Sequence, residues 1–276
     1  MESFMETKRN LKYFTAPPIS IPFIVGWVII AIGVIILASG LKDLTFAGIL
    51  VCIAGFAVVV FASGGKSNDT DIEFNISERI KDLQELSEKK FEVYEKNFLK
   101  MLKPVNLRGY DFEAKEEPLY FKKGTDGVSR TNYFMGCNII FTSEKVYVYG
   151  RRFSLIDEAI DETITATYFF NELKNATIEE RTYEYQKKDR TTQVKYYVFS
   201  INKMDDTPAL QMCVDYGADI DKYTDMISRA IVTRKKELEK RAAEAAIRRA
   251  EFKAKLEADK AAMQAEAEAA AQAENN

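Results

Sequence analysis

IPFIVGWVIIAIGVIILASGLKDLTFAGILVCIAGFAVVVFASGG, residues 21 to 65, holds only two charged side chains, Lys42 and Asp43. Residues 21 to 38 are almost wholly apolar, and at about 1.5 Å per residue they nearly span a hydrocarbon core of roughly 30 Å. A second charge-free run, 44 to 65, begins after the short turn Gly40-Leu41-Lys42-Asp43. Lipid leaves an unpaired backbone no partner, so both runs are expected as helices, and so short a turn makes them an antiparallel hairpin. Both flanks then share one side. Lys8, Arg9 and Lys12 precede the hairpin and Lys66, Arg79 and Lys81 follow it, against Lys42 alone in the turn. The preference of Lys and Arg for the inner face predicts a multi-pass cell-membrane protein with both termini and its soluble domain in the cytoplasm. A secretory signal peptide would share the basic flank and the small residues Ala38-Ser39-Gly40. Its apolar core runs only about 7–15 residues, however, and no second span follows it.

Glycines recur seven residues apart in both runs, Gly26 and Gly33 in the first and Gly48 and Gly55 in the second. With the turn centred near Gly40-Leu41, Gly26 lies at the depth of Gly55 and Gly33 at that of Gly48. Small residues on facing helices let backbones approach and gain dispersion contact, which predicts helix packing within the hairpin or, alternatively, a homo-oligomer interface.

The whole chain has 276 residues, 47% hydrophobic and 29% charged, with a net charge of -3 and no histidine. Mechanisms built on imidazole are therefore excluded. Cys52, Cys137 and Cys213 are far apart, so neither a zinc cage nor a disulfide framework is expected, and no metal or cofactor is predicted. Gly65-Lys66-Ser67 mimics a phosphate loop, but Val60 stands where the motif needs glycine. Asp69, Asp71 and Glu73 mimic the start of a calcium loop, but Phe74 takes the obligatory glycine position.

Beyond a small polar linker at 64 to 70, Asn75 and Glu78 read as a capping box. Ile76, Ile80, Leu83, Leu86, Phe91, Tyr94, Phe98 and Met101 then recur at mostly helical spacing, predicting one stalk helix of about 27 residues ending at Pro104. From 119 to 215 the pattern changes to seven short aromatic and β-branched runs: 119–123, 133–142, 145–149, 162–170, 177–186, 193–202 and 209–215. Turn residues separate them at 124–127, 143–144, 187–190 and 204–206. Ile220, Tyr223, Ile227, Ala230 and Ile231 then mark the apolar face of a closing helix. The predicted class is α+β, divided as an N-terminal tail (1–19), a transmembrane hairpin (20–65), a linker and stalk (66–104), an antiparallel β domain with its helix (105–232) and a charged helix (233–276).

Seven strands followed by one helix resemble the pleckstrin-homology superfold, and more closely its GRAM-like and bacterial members. The hairpin GCNIIFTSEKVYVYG, 136 to 150, and the aromatic strand end Tyr168-Phe169-Phe170 carry most of the likeness. The resemblance covers roughly 120 residues of pattern without a defining motif. Some pleckstrin-homology domains hold phosphoinositide head groups with basic residues around their first hairpin turn, which here carries Lys122, Lys123 and Arg130. The resemblance implies an anion site there, to which Arg151 and Arg152 could add. A solvated loop is the alternative, because Asp126 sits in the same turn and 105–218 holds 15 basic against 18 acidic residues.

Residues 234 to 260 carry ten basic and six acidic side chains, whereas the last sixteen residues carry three Glu and no cation. The segment has no helix breaker and few large apolar residues, predicting a solvated helix, a coiled coil or a partner-docking helix. Interspersed Glu argues against nucleic acid. Glu116-Glu117 and Glu179-Glu180 are sequence neighbours that a strand would turn to opposite faces, so no acid-base pair is expected and the chain reads as non-catalytic. The expected role is a membrane-tethered cytoplasmic adaptor that recruits a protein or an anionic lipid head group. The alternative is a structural membrane protein that self-associates.

Overall fold

The computed structural model describes residues 2–16, 21–39, 41–63, 65–99, 102–187, 190–215 and 217–274. Gly40, Gly64, Met101, Lys188 and Asp189, on which parts of the expected turns, linker and stripe fall, lie outside the described residues. The chain is α+β, with two apolar helices near its N-terminus, antiparallel sheets and a long C-terminal helix.

Helices α2 (Ile21–Ala38) and α3 (Lys42–Ser63) are long and apolar enough to cross a membrane, with mean hydropathies of 2.8 and 2.7 over windows that are 11% buried. A core helix of a water-soluble protein would be mostly covered. Here Trp27 and Phe56 are more than half exposed. The two helices touch through their glycines. A Cβ built on Gly26 would lie 2.9 Å from Val59 N and 3.1 Å from Gly55 O. One on Gly33 would lie 2.9 Å from Cys52 N and 3.0 Å from Gly48 O, and one on Gly55 2.9 Å from Gly26 O. Side chains at these three positions would push the backbones apart.

Before α2 the chain forms a helix, α1 (Glu2–Thr15), where the sequence suggested only a tail. After α3 the expected single stalk helix is two shorter ones, α4 (Asp69–Ile80) and α5 (Leu83–Phe91). Asn68, not Asn75, caps α4: its side chain accepts the Asp71 N–H while the Asp71 carboxylate accepts the Asn68 N–H. The Asn68 box competes better because it places Ile72 and Ile76, both at 0% exposure, against the β domain. Burying each is worth about 2–3 kcal/mol. Helix α5 ends where Glu92 takes a left-handed conformation (φ 53°). It lies along the outer face of the sheet rather than standing free. A Cβ on Gly136 would come within 2.9 Å of Ile80 and Leu83, and Phe91 meets Tyr147 at 4.9 Å between ring centres.

Among the described residues nine strands follow where seven were expected. The seven anticipated runs are β2 (Phe121–Lys123), β4 (Tyr133–Phe141), β5 (Lys145–Ser154), β6 (Asp161–Phe169), β7 (Leu173–Lys187), β8 (Arg190–Lys203) and β9 (Pro208–Val214). The additions are β1 (Val105–Tyr110) and β3 (Ser129–Thr131). An antiparallel sheet in the order β1-β4-β5-β6 faces a second in the order β7-β8-β9, and β2-β3 forms a separate hairpin. Between the sheets lie Leu107, Ile139, Val148, Phe199 and Met212, all at most 5% exposed. Strand β1 passes close to β9, with the Asp215 N–H donating to Arg108 O at 2.9 Å. Gly109 permits this crossing, since a Cβ there would sit 2.5 Å from Cys213 O.

Helix α6 (Ala218–Glu274) closes one end of this core with Ile220, Ile227 and Ile231. It stays on the domain past the anticipated boundary at 232, because Arg234 is buried against Ser143 O and Leu238 packs on the core. From Glu239 to Ala261 every described side chain is exposed. At about 1.5 Å per residue the whole helix is about 86 Å long.

Candidate functional site: a clasp at the root of the apolar hairpin

Helices α1 and α4 flank the apolar hairpin in sequence and meet beside it in space, the Ser67 N–H donating to Arg9 O at 3.2 Å. Asn10, 1% exposed, accepts from the Ser67 hydroxyl at 2.6 Å and donates to Leu155 O at 2.9 Å. The Arg79 guanidinium donates to Ser154 O at 3.1 Å. Tyr13 and Phe14 join Ile72, Ile76, Phe134 and Phe153 in one apolar cluster. The β domain is thus attached to both chain segments that enter the hairpin.

At the centre of this attachment lies Arg130, 1% exposed. Its guanidinium donates to both Asp126 carboxylate oxygens (2.9 and 2.5 Å), to Glu73 (3.1 Å from Nε) and to the Tyr110 hydroxyl (3.1 Å). Asp69 stands 3.9 Å away. Tyr110 in turn donates to Glu73 at 2.8 Å, and Tyr13 donates to Asp69 at 2.6 Å. Asp69 also accepts from the Thr125 N–H at 2.7 Å and hydroxyl at 2.5 Å. The β2-β3 hairpin, α1 and α4 are therefore joined by one charged network.

The electrostatics follow from burial and pairing. The bond from Arg130 holds the Asp126 carboxyl at about 2. Burial pushes Asp69 up, but the bonds from Thr125 and Tyr13 outweigh it and leave its carboxyl below the usual range. Burial, helped by Asp69 and Glu73, pushes the Tyr13 and Tyr110 hydroxyls up, so both remain protonated donors. Three carboxylates and one guanidinium give the cluster a net negative charge, softened because Glu73 and Asp126 are about two-fifths exposed.

Of the five basic residues suggested as an anion site, four are engaged by acceptors within the protein. Lys122 donates to Tyr13 O at 2.7 Å and lies 3.6 Å above the Tyr13 ring, while Lys123 is exposed on the same strand. Arg130 is the centre of the clasp. Arg151 forks onto Asp161 (2.7 and 2.5 Å) and donates to Arg79 O at 3.1 Å. Arg152 pairs with Asp111 at 2.8 Å and grips Glu116 at 2.7 and 2.5 Å, holding that carboxyl at about 2. Consecutive on β5, Arg151 and Arg152 point to opposite faces. The five side chains do not converge on one pocket.

Sequence reasoning missed Tyr13, Asp69, Glu73 and Tyr110. One signal was present: Asp69 and Glu73 are four apart and share a helix face. Cys137 and Cys213 are buried, which pushes both thiols up to about 12. Among the described residues no group of three or more Cys, Asp or Glu side chains is placed to hold a metal ion. Compared with family models, with curated proteins and with solved structures, the chain matches none.

Proposed function

We propose that this chain is a non-catalytic docking platform: a two-helix membrane anchor carrying a pleckstrin-homology-like domain seated at the membrane root, with α6 as the element offered to a protein partner. The single observation that carries this reading is the clasp around Arg130. By fastening α1, α4 and β2-β3 together it fixes the domain to the anchor. A fixed domain holds α6 in a set position instead of swinging it on a linker. Four strands facing three, closed by one helix, support the pleckstrin-homology-like assignment, with β2-β3 as an added hairpin. The balance of Lys and Arg between flanks and turn supports the cytoplasmic side. Engagement of Lys122, Arg130, Arg151 and Arg152 by protein acceptors favours a protein over a lipid head group as the partner.

Crosslinking in native membranes, comparing the full chain with one ending at Lys240, tests this. The cut keeps Arg234 and Leu238, which belong to the core. Crosslinked neighbours present with the full chain and lost on truncation support the platform. Identical patterns overturn it.

A further inference from the structure

Beyond Leu238, α6 carries large apolar residues without cover: Ile247 is 59% exposed, Phe252 71%, Leu256 45% and Met263 70%. The last three fall on one seam of a seven-residue repeat. Its first inward position takes Ala242, Arg249, Leu256, Met263 and Ala270, and its second takes Ala245, Phe252, Asp259, Glu266 and Ala273. Two charges, Arg249 and Asp259, interrupt the seam within its described, exposed part.

We propose that this face pairs with the same face of a second copy of the chain, antiparallel, in the register that sets Phe252 against Leu256. In an antiparallel pair of helices, first positions face second positions. This register then sets Arg249 against Asp259 of the second copy, Ala245 against Met263, and Ala242 against the Glu266 position, each twice by symmetry. The charged interruptions meet each other. Sliding by one repeat sets Asp259 against Leu256 in one direction and Arg249 against Phe252 in the other, burying a charge against an apolar side chain. A parallel pair sets Arg249 against Arg249 and Asp259 against Asp259, which repels at both layers. The ends agree with this choice. In this register the last sixteen residues, with three Glu and no cation, run alongside 232 to 247, which hold five basic and three acidic side chains. A charged pair within an apolar seam costs stability and sets register, the best-attested use of such groups.

This pairing rests on the reading of α6 as a docking element and names its occupant. The test uses the full chain in nanodiscs, with the dimer dissociation constant measured by mass photometry. Four forms are compared: the unaltered chain, Arg249→Asp, Asp259→Arg, and the chain carrying both changes. Each single reversal puts like charges in two layers and should weaken the dimer at least about tenfold. The double change restores opposite charges only when the helices are antiparallel, and should return the constant to within about threefold of the unaltered value. All four residues at the test layers are on the exposed part of α6, and circular dichroism checks that helicity is kept. The proposal falls if the double change stays as weak as the singles, or if a dimer forms that the single changes leave untouched. A monomer at every concentration also overturns it, as does protection of residues 239 to 260 that appears only with phosphatidylserine in the nanodisc. If all forms are monomeric while truncation at Lys240 still removes crosslinked neighbours, the pairing is wrong and the platform reading stands.

Discussion

Replacing Arg130 with methionine keeps much of the side chain's volume and removes its charge, leaving Asp69, Glu73 and Asp126 facing one another without a cation. Removing one partner from a buried ion pair costs about 3–5 kcal/mol, because the remaining charge is stranded. Here the carboxylates differ in exposure: Asp69 is 15% exposed, Glu73 44% and Asp126 41%. The latter two can rehydrate, so the expected loss falls to about 2–3 kcal/mol. For a folded unit of this size that lowers the melting temperature by about 5–10 °C. The loss should also have an address. Amide hydrogen exchange, measured on the full chain in detergent, should rise in α1 and in the β2-β3 hairpin while β4 and β5 keep their protection. Adding Glu73→Gln and Asp126→Asn to Arg130→Met removes two of the stranded charges and should recover part of the loss. A variant that melts within about 1 °C of the unaltered protein, with α1 exchange unchanged, would refute the clasp as the joint between domain and anchor.

Gly33→Ala and Gly55→Ala should each destabilise the α2-α3 hairpin by about 1–3 kcal/mol, because the added methyl meets backbone atoms of the facing helix. Gly48→Ala should cost less, since its methyl meets only the movable side chains of Leu37 and Ile36; equal losses in steric-trap unfolding would contradict this ranking. Arg130 and Arg152 hold the Asp126 and Glu116 carboxyls at about 2, below the ordinary value of about 4. Their stabilisation is therefore complete above about pH 4 and lost as pH falls toward 2, by about 1 kcal/mol each after solvent screening; a melting temperature flat from pH 5 to pH 2 would exclude it. Cys137 and Cys213, with thiols pushed up to about 12 by burial, should resist maleimide at pH 7.5 until the domain is unfolded, and labelling of either in the native protein would place it wrongly.

The two apolar helices and seven of the nine strands were legible because each carries its own periodicity or composition. Strand β1, VNLRGY, was not: Gly109 ends its alternation after four residues, and its identity depends on crossing β9 at Gly109. The stripe from Ile76 to Met101 shows why periodicity can overrun an element. Ile80 and Leu83 lie on either side of the break at Lys81-Asp82, yet both lean on Gly136, so the apolar spacing persists where the helix does not. Lys122, Lys123 and Arg130 stood out in the sequence as basic residues around one turn, but what Lys122 and Arg130 hold could not be read locally. Glu73 is 57 residues from Arg130 and Tyr13 is 109 from Lys122. Such partners become neighbours only through packing, and Asp126, four residues from Arg130, was the one acceptor visible beforehand.

The clasp also fixes an order of events during synthesis. Helix α1 leaves the ribosome ahead of the apolar pair, but Leu155, to which Asn10 donates, comes 145 residues later. At about 5–20 residues per second that interval is roughly 7–30 s. Both apolar helices are made within it, while α1 still lacks its seat. The domain closes on α1 only afterwards, so a helix made before the apolar pair is fastened after it.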